Sequence, residues 1–447
     1  MPNLSLTAHP PAIRRALYCA IGLVLAALLL APPARALNLT AATEAQLNAA
    51  IVAVNAAGAG THTITLTADI TLTDWTPWIS NPAATEIILD GDGHTINGGG
   101  NGPIVFIDNG TTARVREVTL TNAAAEVGAA IFSIGRLTVE NSRLSDNSGF
   151  RGAGVHSNGD VTIVGSTFSG NSADYGGAVA ILPEGGTSTL TIRNSVFRDN
   201  SAAINGGALY VFSNDAVTNV ALTNVTIEDN SSGNGTAGID LIAGDASEVT
   251  ATIAATHIAN NVGYRGGLNV TTNMGVAEVT VTGSTVAGNR STAQGGISES
   301  SAGGVYARAN TGGTTSLTLF NSTVSGNSTG RAGGGLLVVA NGGAAGANVA
   351  YSTLAGNTSG TGGGGVHTLE TNGGTASVRL SASLITNGNG AGPDCARPSG
   401  VIISTGFNLA GDGTCFLNQV SDLPASAADW PTEALDFGEL RALRADP

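Results

Sequence analysis

The chain contains no lysine: all 18 basic residues are arginine, set against 32 acidic ones, for a formal net charge of −14. That balance excludes the basic surfaces that hold nucleic acid or anionic lipid. Aromatic residues are scarce at 4%, and with 64 glycines the composition approaches that of a disordered chain. The hydrophobic fraction of 42% removes that reading, because it is enough to build a core. Long apolar runs are also missing, except for Ala16 to Ala31, which is short for a membrane-spanning helix. Arg14 and Arg15 precede this run and Ala34-Arg35-Ala36 follows it, the layout of a secretory signal with a small-residue cleavage site. The flanks of Arg14-Arg15 fit twin-arginine export poorly, and Cys19 lacks the preceding small residue that lipidation requires. Residues 1–36 are therefore expected to be removed, leaving a secreted or cell-surface protein with no transmembrane span. Of three cysteines, Cys395 and Cys415 remain after cleavage. In an oxidising compartment they are expected to pair, closing a loop of about 20 residues that contributes roughly 3 kcal/mol; two free thiols are the alternative.

What the sequence does have is a repeat. An apolar residue, two small or polar residues and an asparagine recur as Leu144/Asn147, Phe168/Asn171, Phe197/Asn200, Ile227/Asn230, Ile258/Asn261, Val286/Asn289, Val324/Asn327, Leu354/Asn357 and Leu384/Asn387. Successive asparagines are 24, 29, 30, 31, 28, 38, 30 and 30 residues apart, too close for domains and right for the coils of a solenoid. Before each asparagine lies an alternating stretch such as Leu137-Thr138-Val139 or Leu317-Thr318-Leu319, the pattern of a strand with one buried face. After it comes a glycine corner and a second short strand, as in Gly176-Gly177-Ala178-Val179 and Gly206-Gly207-Ala208-Leu209. Glycine and asparagine both tolerate the left-handed backbone of tight corners.

No helical period separates these strands, so parallel pairing has to come from coiling. The expected fold is all-β: a right-handed parallel β-helix of eleven or twelve coils with a short N-terminal capping helix. Like residues then stack about 4.8 Å apart. Asn147, Asn171, Asn200, Asn230, Asn261, Asn289, Asn327 and Asn357 are expected to form a structural ladder of side-chain amides. Thr43 to Gln46 has capping-box spacing, with Leu47, Ile51 and Val54 on one helical face. The organisation expected is a signal peptide at 1–36, cap helix and first strands at 37–80, repeats at 81–390, a disulfide-closed loop at 391–415 and an irregular tail at 416–447. The sequence ends without an anchor, which suggests that the chain continues.

The phenylalanine-containing pairs with their Gly-Gly-Ala corners resemble the short repeats of polymorphic outer membrane proteins, which are β-helical adhesins. A longer likeness, from Leu37 to Cys415, is to exported β-helix surface proteins of the choice-of-anchor type. It is carried by Thr43-Glu44-Ala45-Gln46-Leu47-Asn48-Ala49-Ala50-Ile51, by Ser404-Thr405-Gly406-Phe407-Asn408-Leu409, and by Asp412-Gly413-Thr414-Cys415. It ends where that family continues to an anchoring segment. The resemblance implies a surface location and the β-helix architecture, and fold does not dictate function.

Chemistry has to be sought in the residues. A pectate-lyase-like enzyme needs carboxylates holding calcium and an Arg or Lys base; a glycoside hydrolase needs converging carboxylates. Arg151, Arg265 and Arg331 share one column, read as exposed charges at a turn. Asp90 and Asp92, in Asp90-Gly91-Asp92-Gly93-His94, can bind a cation such as Ca2+ or serve as ordinary turn formers; no other cofactor is expected. Asp199 and Asp229 would stack, as a weaker calcium candidate or a solvated stripe. His62, His94, His156, His257 and His367 lack metal spacing. The best binding candidate is the column His156, Ala180, Tyr210, Asp240, Asn269, Tyr306, Leu337 and His367, expected to face outward, with Tyr210, Asp240, Asn269 and Tyr306 as ligand-contacting residues. A mixed solvent face is the alternative. Gly-rich segments at Pro183 to Thr187, Asn310 to Thr314 and Asn341 to Gly346, and the extra chain near Gly295 to Ser301, are candidate recognition loops.

The function expected is that of a non-catalytic, monomeric surface β-helix in adhesion or extracellular carbohydrate binding, with a polysaccharide or a neighbouring cell surface as partner. The alternatives are a polysaccharide lyase or hydrolase, and a spacer without ligand. An enzyme should bring at least two carboxylates and an arginine into one groove.

Overall fold

In the computed structural model, residues 36–293, 301–387 and 392–424 are described. The leader, the extra chain at 294–300 and the tail beyond 424 lie outside them.

Alternation in the sequence becomes a stack of parallel strands in three sheets. Inward residues meet their own kind one coil on. Leu137, Val161, Leu190, Val220, Ala251, Val279, Leu317, Ala347 and Val378 occupy consecutive register positions, and all are buried. On the second sheet Leu144, Phe168, Phe197, Ile227 and Ile258 form another such file, in which the Phe168 and Phe197 rings stack at 4.8 Å. The chain is thus a right-handed parallel β-helix. Its second sheet holds fourteen strands in single file, so at about 4.8 Å per step the rod is roughly 60 Å long.

The asparagines do stack. Each side-chain amide from Asn147 to Asn327 donates to the next carboxamide oxygen at 2.8–3.0 Å, Asn357 continues to Asn387 at 3.3 Å, and the same oxygens accept a backbone N–H from the coil before. All are buried, so the corner's polar groups are satisfied without water. A second ladder escaped the sequence reading. Five residues before the asparagine, the hydroxyls of Ser166, Ser195, Ser284, Ser322 and Ser352 each accept a backbone N–H from the preceding coil. In the last repeat the apolar file is filled by Ile385, not Leu384, because the step from the apolar residue to Asn387 is one residue shorter there.

The helix α1 (Glu44–Asn55) covers the first coil, with Leu47, Ala50, Ile51 and Val54 buried and the Thr43 hydroxyl capping Gln46 N–H. A strand at Asn38–Ala41 precedes it, pairs with Thr61–Leu66, and was not foreseen. At the far end the expectation of a loop at 391–415 followed by an irregular tail needs correction. Cys395–Ala396, Val401–Ser404, Leu409–Ala410 and Leu423–Pro424 all pair in register, so coiling continues to residue 424. The Cys395–Cys415 disulfide is formed and buried there. Asn387 hands the ladder to Asp394, whose backbone N–H and carboxylate are exchanged reciprocally with those of Asp412.

Candidate functional site

Tyr210, Asp240, Asn269 and Tyr306 lie in one column in register, but they are not exposed. Their relative accessibilities are 7%, 0%, 1% and 0%. The glycine corner of each coil folds back over the outward position of the strand it leads into. At Gly206, with φ of 67°, a Cβ would sit 2.7 Å from the Tyr210 Cβ, so only glycine permits this closeness. Tyr175 covers Tyr210 with ring centroids 5.3 Å apart, and the Arg265 guanidinium lies 4.9 Å over Tyr306. Asn269 Nδ2 donates to Asp240 Oδ1, and Asp240 Oδ2 makes no well-formed bond, with the Thr236 hydroxyl its neighbour. Burial pushes the Asp240 carboxyl above its ordinary range, with Arg265 opposing, and burial likewise raises the Tyr210 phenol. The outward-facing assignment is therefore corrected: the middle of this column is a second, partly polar core. Arg151, Arg265 and Arg331 are correspondingly half-buried over aromatic rings and not exposed charges.

Asp90 accepts Arg116 at 2.7 Å, within a set of outer-face ion pairs that also joins Arg114 to Glu86 and Glu140. Asp92 has φ of 47° and its N–H bonds Asp90 Oδ1, so this pair builds a turn. Asp199 and Asp229 are left-handed corner residues with φ of 56° and 55°. Among the described residues no group of three or more His, Cys, Asp or Glu is placed to hold a metal.

Toward the N-terminal end the same column opens. Its register continues back through Phe132 and Phe106, and the isolated bridge between Ile79 and Ile107 sets Trp78 against Phe106. Trp78 stacks on Phe106 at 5.0 Å, Phe132 meets Phe106 edge-on at 6.5 Å, and Phe132 lies parallel to His156 at 5.4 Å and 9°. Trp75 flanks this file 5.9 Å from Phe106. Trp75 and Trp78 remain 60% and 41% exposed, and with Phe106, Phe132 and Glu126 they line a cleft of about 560 Å³.

The cap helix sets these tryptophans. Near its start, the Glu44 carboxylate accepts the Thr73 N–H and hydroxyl and the Asp74 N–H at 2.7–3.1 Å. The Thr73 hydroxyl first, and these amides, hold the Glu44 carboxyl below its ordinary range. At its end, Asn55 donates to the Trp78 carbonyl at 2.6 Å and accepts the Ser80 N–H at 2.9 Å. Gly102, with φ of 74°, leaves room for the Trp75 indole, which a Cβ would strike. Sequence reasoning missed this site because the tryptophans lie outside the repeat; the available signal was Trp75-x-x-Trp78 in a chain with three tryptophans.

Beyond His156 lies a second pocket of about 510 Å³, lined by Arg151, Asn158, Phe212, Asn214 and the protruding segments Pro183–Gly185 and Asp215. Of the candidate recognition loops, Pro183 to Thr187 therefore borders a pocket, and the chain near Gly295 lies outside the described residues. His156 is 3% exposed; burial, then the neighbouring Arg151, lowers its pKa to about 4.

No helix among the described residues is long and apolar enough to cross a membrane. No curated protein and no solved structure matches the chain. One family does match: residues 85–254 are similar to the family described as a right-handed β-helix region, the architecture that the stacked coils display.

Proposed function

We propose that this is an exported, non-catalytic surface β-helix that binds extracellular carbohydrate through the aromatic cleft beneath its cap, in adhesion to a polysaccharide or a neighbouring cell. The single observation that carries this reading is the open file of rings, Trp75, Trp78, Phe106 and Phe132, along the rod axis in a chain poor in aromatics. Indole faces left in water are costly unless a ligand covers them, and the apolar face of a sugar stacks on them while its hydroxyls stay solvated. The acidic, lysine-free composition disfavours nucleic acid and anionic membranes. Export rests on the leader pattern at residues 1–36.

Affinity electrophoresis against neutral and acidic polysaccharides tests this. Wild type should be retarded by at least one of them, and Trp78→Ala should lose about tenfold in affinity or more. Retention unchanged in a Trp75→Ala/Trp78→Ala double variant would refute it.

A second reading, a polysaccharide lyase or hydrolase, is favoured by Arg151, Glu184 and Asp215 lining one pocket. Right-handed β-helix regions occur in enzymes of the pectate-lyase type as well as in surface proteins. Against it, Glu184 and Asp215 are both exposed, whereas a general acid needs an apolar, water-poor setting. New reducing or unsaturated ends in the same incubations would decide for the enzyme.

A further inference from the structure

The geometry points to a second subsite in the pocket beside His156, one that takes an uncharged sugar unit of the same glycan chain that stacks on Trp78 and Phe106. This inference rests on the carbohydrate reading above and adds to it where the chain runs and what charge it carries.

The first observation is continuity. Phe132 lines the aromatic cleft, His156 lines the next pocket, and the two rings are parallel and in contact. The cleft and the pocket are thus successive stations along the rod axis. A sugar chain lying along the axis passes from one to the other without a bend.

The second is a set of buried polar atoms with weak or missing partners. His156 is 3% exposed and has Asn158 as a hydrogen-bonding neighbour, but its Nδ1 makes no well-formed bond. Asn158 Oδ1 is likewise buried without a well-formed bond, and Arg151 Nε, on the same pocket, is buried and unbonded. An unsatisfied buried donor or acceptor is expensive, and a weakly paired His156 and Asn158 beside an unbonded Arg151 N–H leave hydrogen-bonding capacity for a ligand. Sugar hydroxyls suit this mixture, since each can donate to the Asn158 oxygen or accept from the Arg151 N–H, and either role serves His156.

The third is charge. Three carboxylates, Glu126, Glu184 and Asp215, line the cleft and pocket against one guanidinium, Arg151. His156 adds no positive charge at neutral pH, because burial lowers its pKa to about 4. A polyuronate would bring one negative charge per sugar to a lining that is already negative. A neutral chain meets no such opposition.

Isothermal titration of the full chain tests the inference, using neutral oligosaccharides and galacturonate oligomers, each as trimer and hexamer. Two variants are compared with wild type: Asn158→Ala, and His156→Phe, which keeps a ring against Phe132 but removes Nδ1. The neutral hexamer should bind wild type about tenfold more tightly than the trimer, as two added hydrogen bonds would give. In both variants the ratio of hexamer to trimer affinity should fall toward one, and galacturonate should show no gain with length. Equal binding of neutral trimer and hexamer, a gain that survives both substitutions, or a galacturonate hexamer that outbinds the neutral one overturns the subsite while leaving Trp78-dependent carbohydrate binding in place. Failure of every oligomer to bind removes the carbohydrate reading, and the subsite with it.

Discussion

Replacing Asn261 with alanine should open the middle of the rod more than any surface change can. Asn261 is fully buried and takes part in four side-chain bonds. Its oxygen accepts the Asn230 backbone N–H at 3.1 Å and Asn230 Nδ2 at 2.9 Å; its own Nδ2 donates to Ile227 O at 3.0 Å and Asn289 Oδ1 at 2.8 Å. Truncation spares some partners, since Asn230 Nδ2 still reaches Phe197 O and Asn289 Oδ1 still accepts the residue 261 N–H. The Asn230 backbone N–H loses the acceptor that the ladder supplies. One orphaned buried amide at roughly 1–3 kcal/mol, plus the other lost bonds at roughly 1 kcal/mol each, gives on the order of 4 kcal/mol once a water entering the gap restores part. Thr280→Ala, on the exposed outer face, should change stability by less than about 0.5 kcal/mol. Urea denaturation followed by far-ultraviolet circular dichroism reads the total. Because each coil touches mainly its neighbours, hydrogen exchange should show the loosening centred on the coils of Asn230, Asn261 and Asn289. An Asn261→Ala protein within about 1 kcal/mol of wild type, with exchange at Asn230 unchanged, would refute the reasoning.

Three further outcomes are expected. His156 and His367, both lowered to about 4 by burial, stay neutral in the fold while the unfolded chain takes up protons near its ordinary value of about 6.5. Stability is therefore full above about pH 6.5 and is lost as the pH falls toward 4, by up to about 3 kcal/mol per histidine; thermal melts at several pH values should show His156→Phe losing less on acidification than wild type. Asp240 carries the opposite sign: its raised carboxyl binds a proton more readily folded than unfolded, so Asp240→Asn should raise the melting temperature at pH 8 and the gain should shrink as the pH falls, whereas a lower melting temperature at pH 8 would contradict it. Replacing Cys395 and Cys415 with serine should cost roughly 3 kcal/mol, and hydrogen exchange should confine the effect to the coils after residue 384 and leave the Trp78 cleft protected.

The coil was legible because repetition at a fixed spacing forces like residues into register. Phe168 meeting Phe197, and Asn200 meeting Asn230, follow from that rule alone. The serine ladder obeys it too, and Ser322, five residues before Asn327, belongs to a signal less regular than the asparagine's, broken by Val225 and Thr256 in the same file. The column through Tyr210 and Tyr306 was likewise legible as a column. Its burial was not, because alternation tells which side of a strand a residue takes but not whether another segment lies over that side. The tryptophan cleft was illegible for a different reason. Residues 73–80 belong to no repeat, and their position depends on Glu44 and Asn55 of the cap helix, about 25–30 residues earlier in the chain.

By itself the sequence determined the architecture: period, alternation and corner residues leave parallel stacking as the way to bury the apolar positions and satisfy the asparagines together. The tertiary structure alone decided which outward positions meet solvent. Where the Gly206-type corners fold back, a tyrosine becomes core; where the first coils leave Trp75 and Trp78 uncovered, the same column becomes a cleft. That distinction is set by contacts between segments far apart in the chain, and no local pattern encodes it.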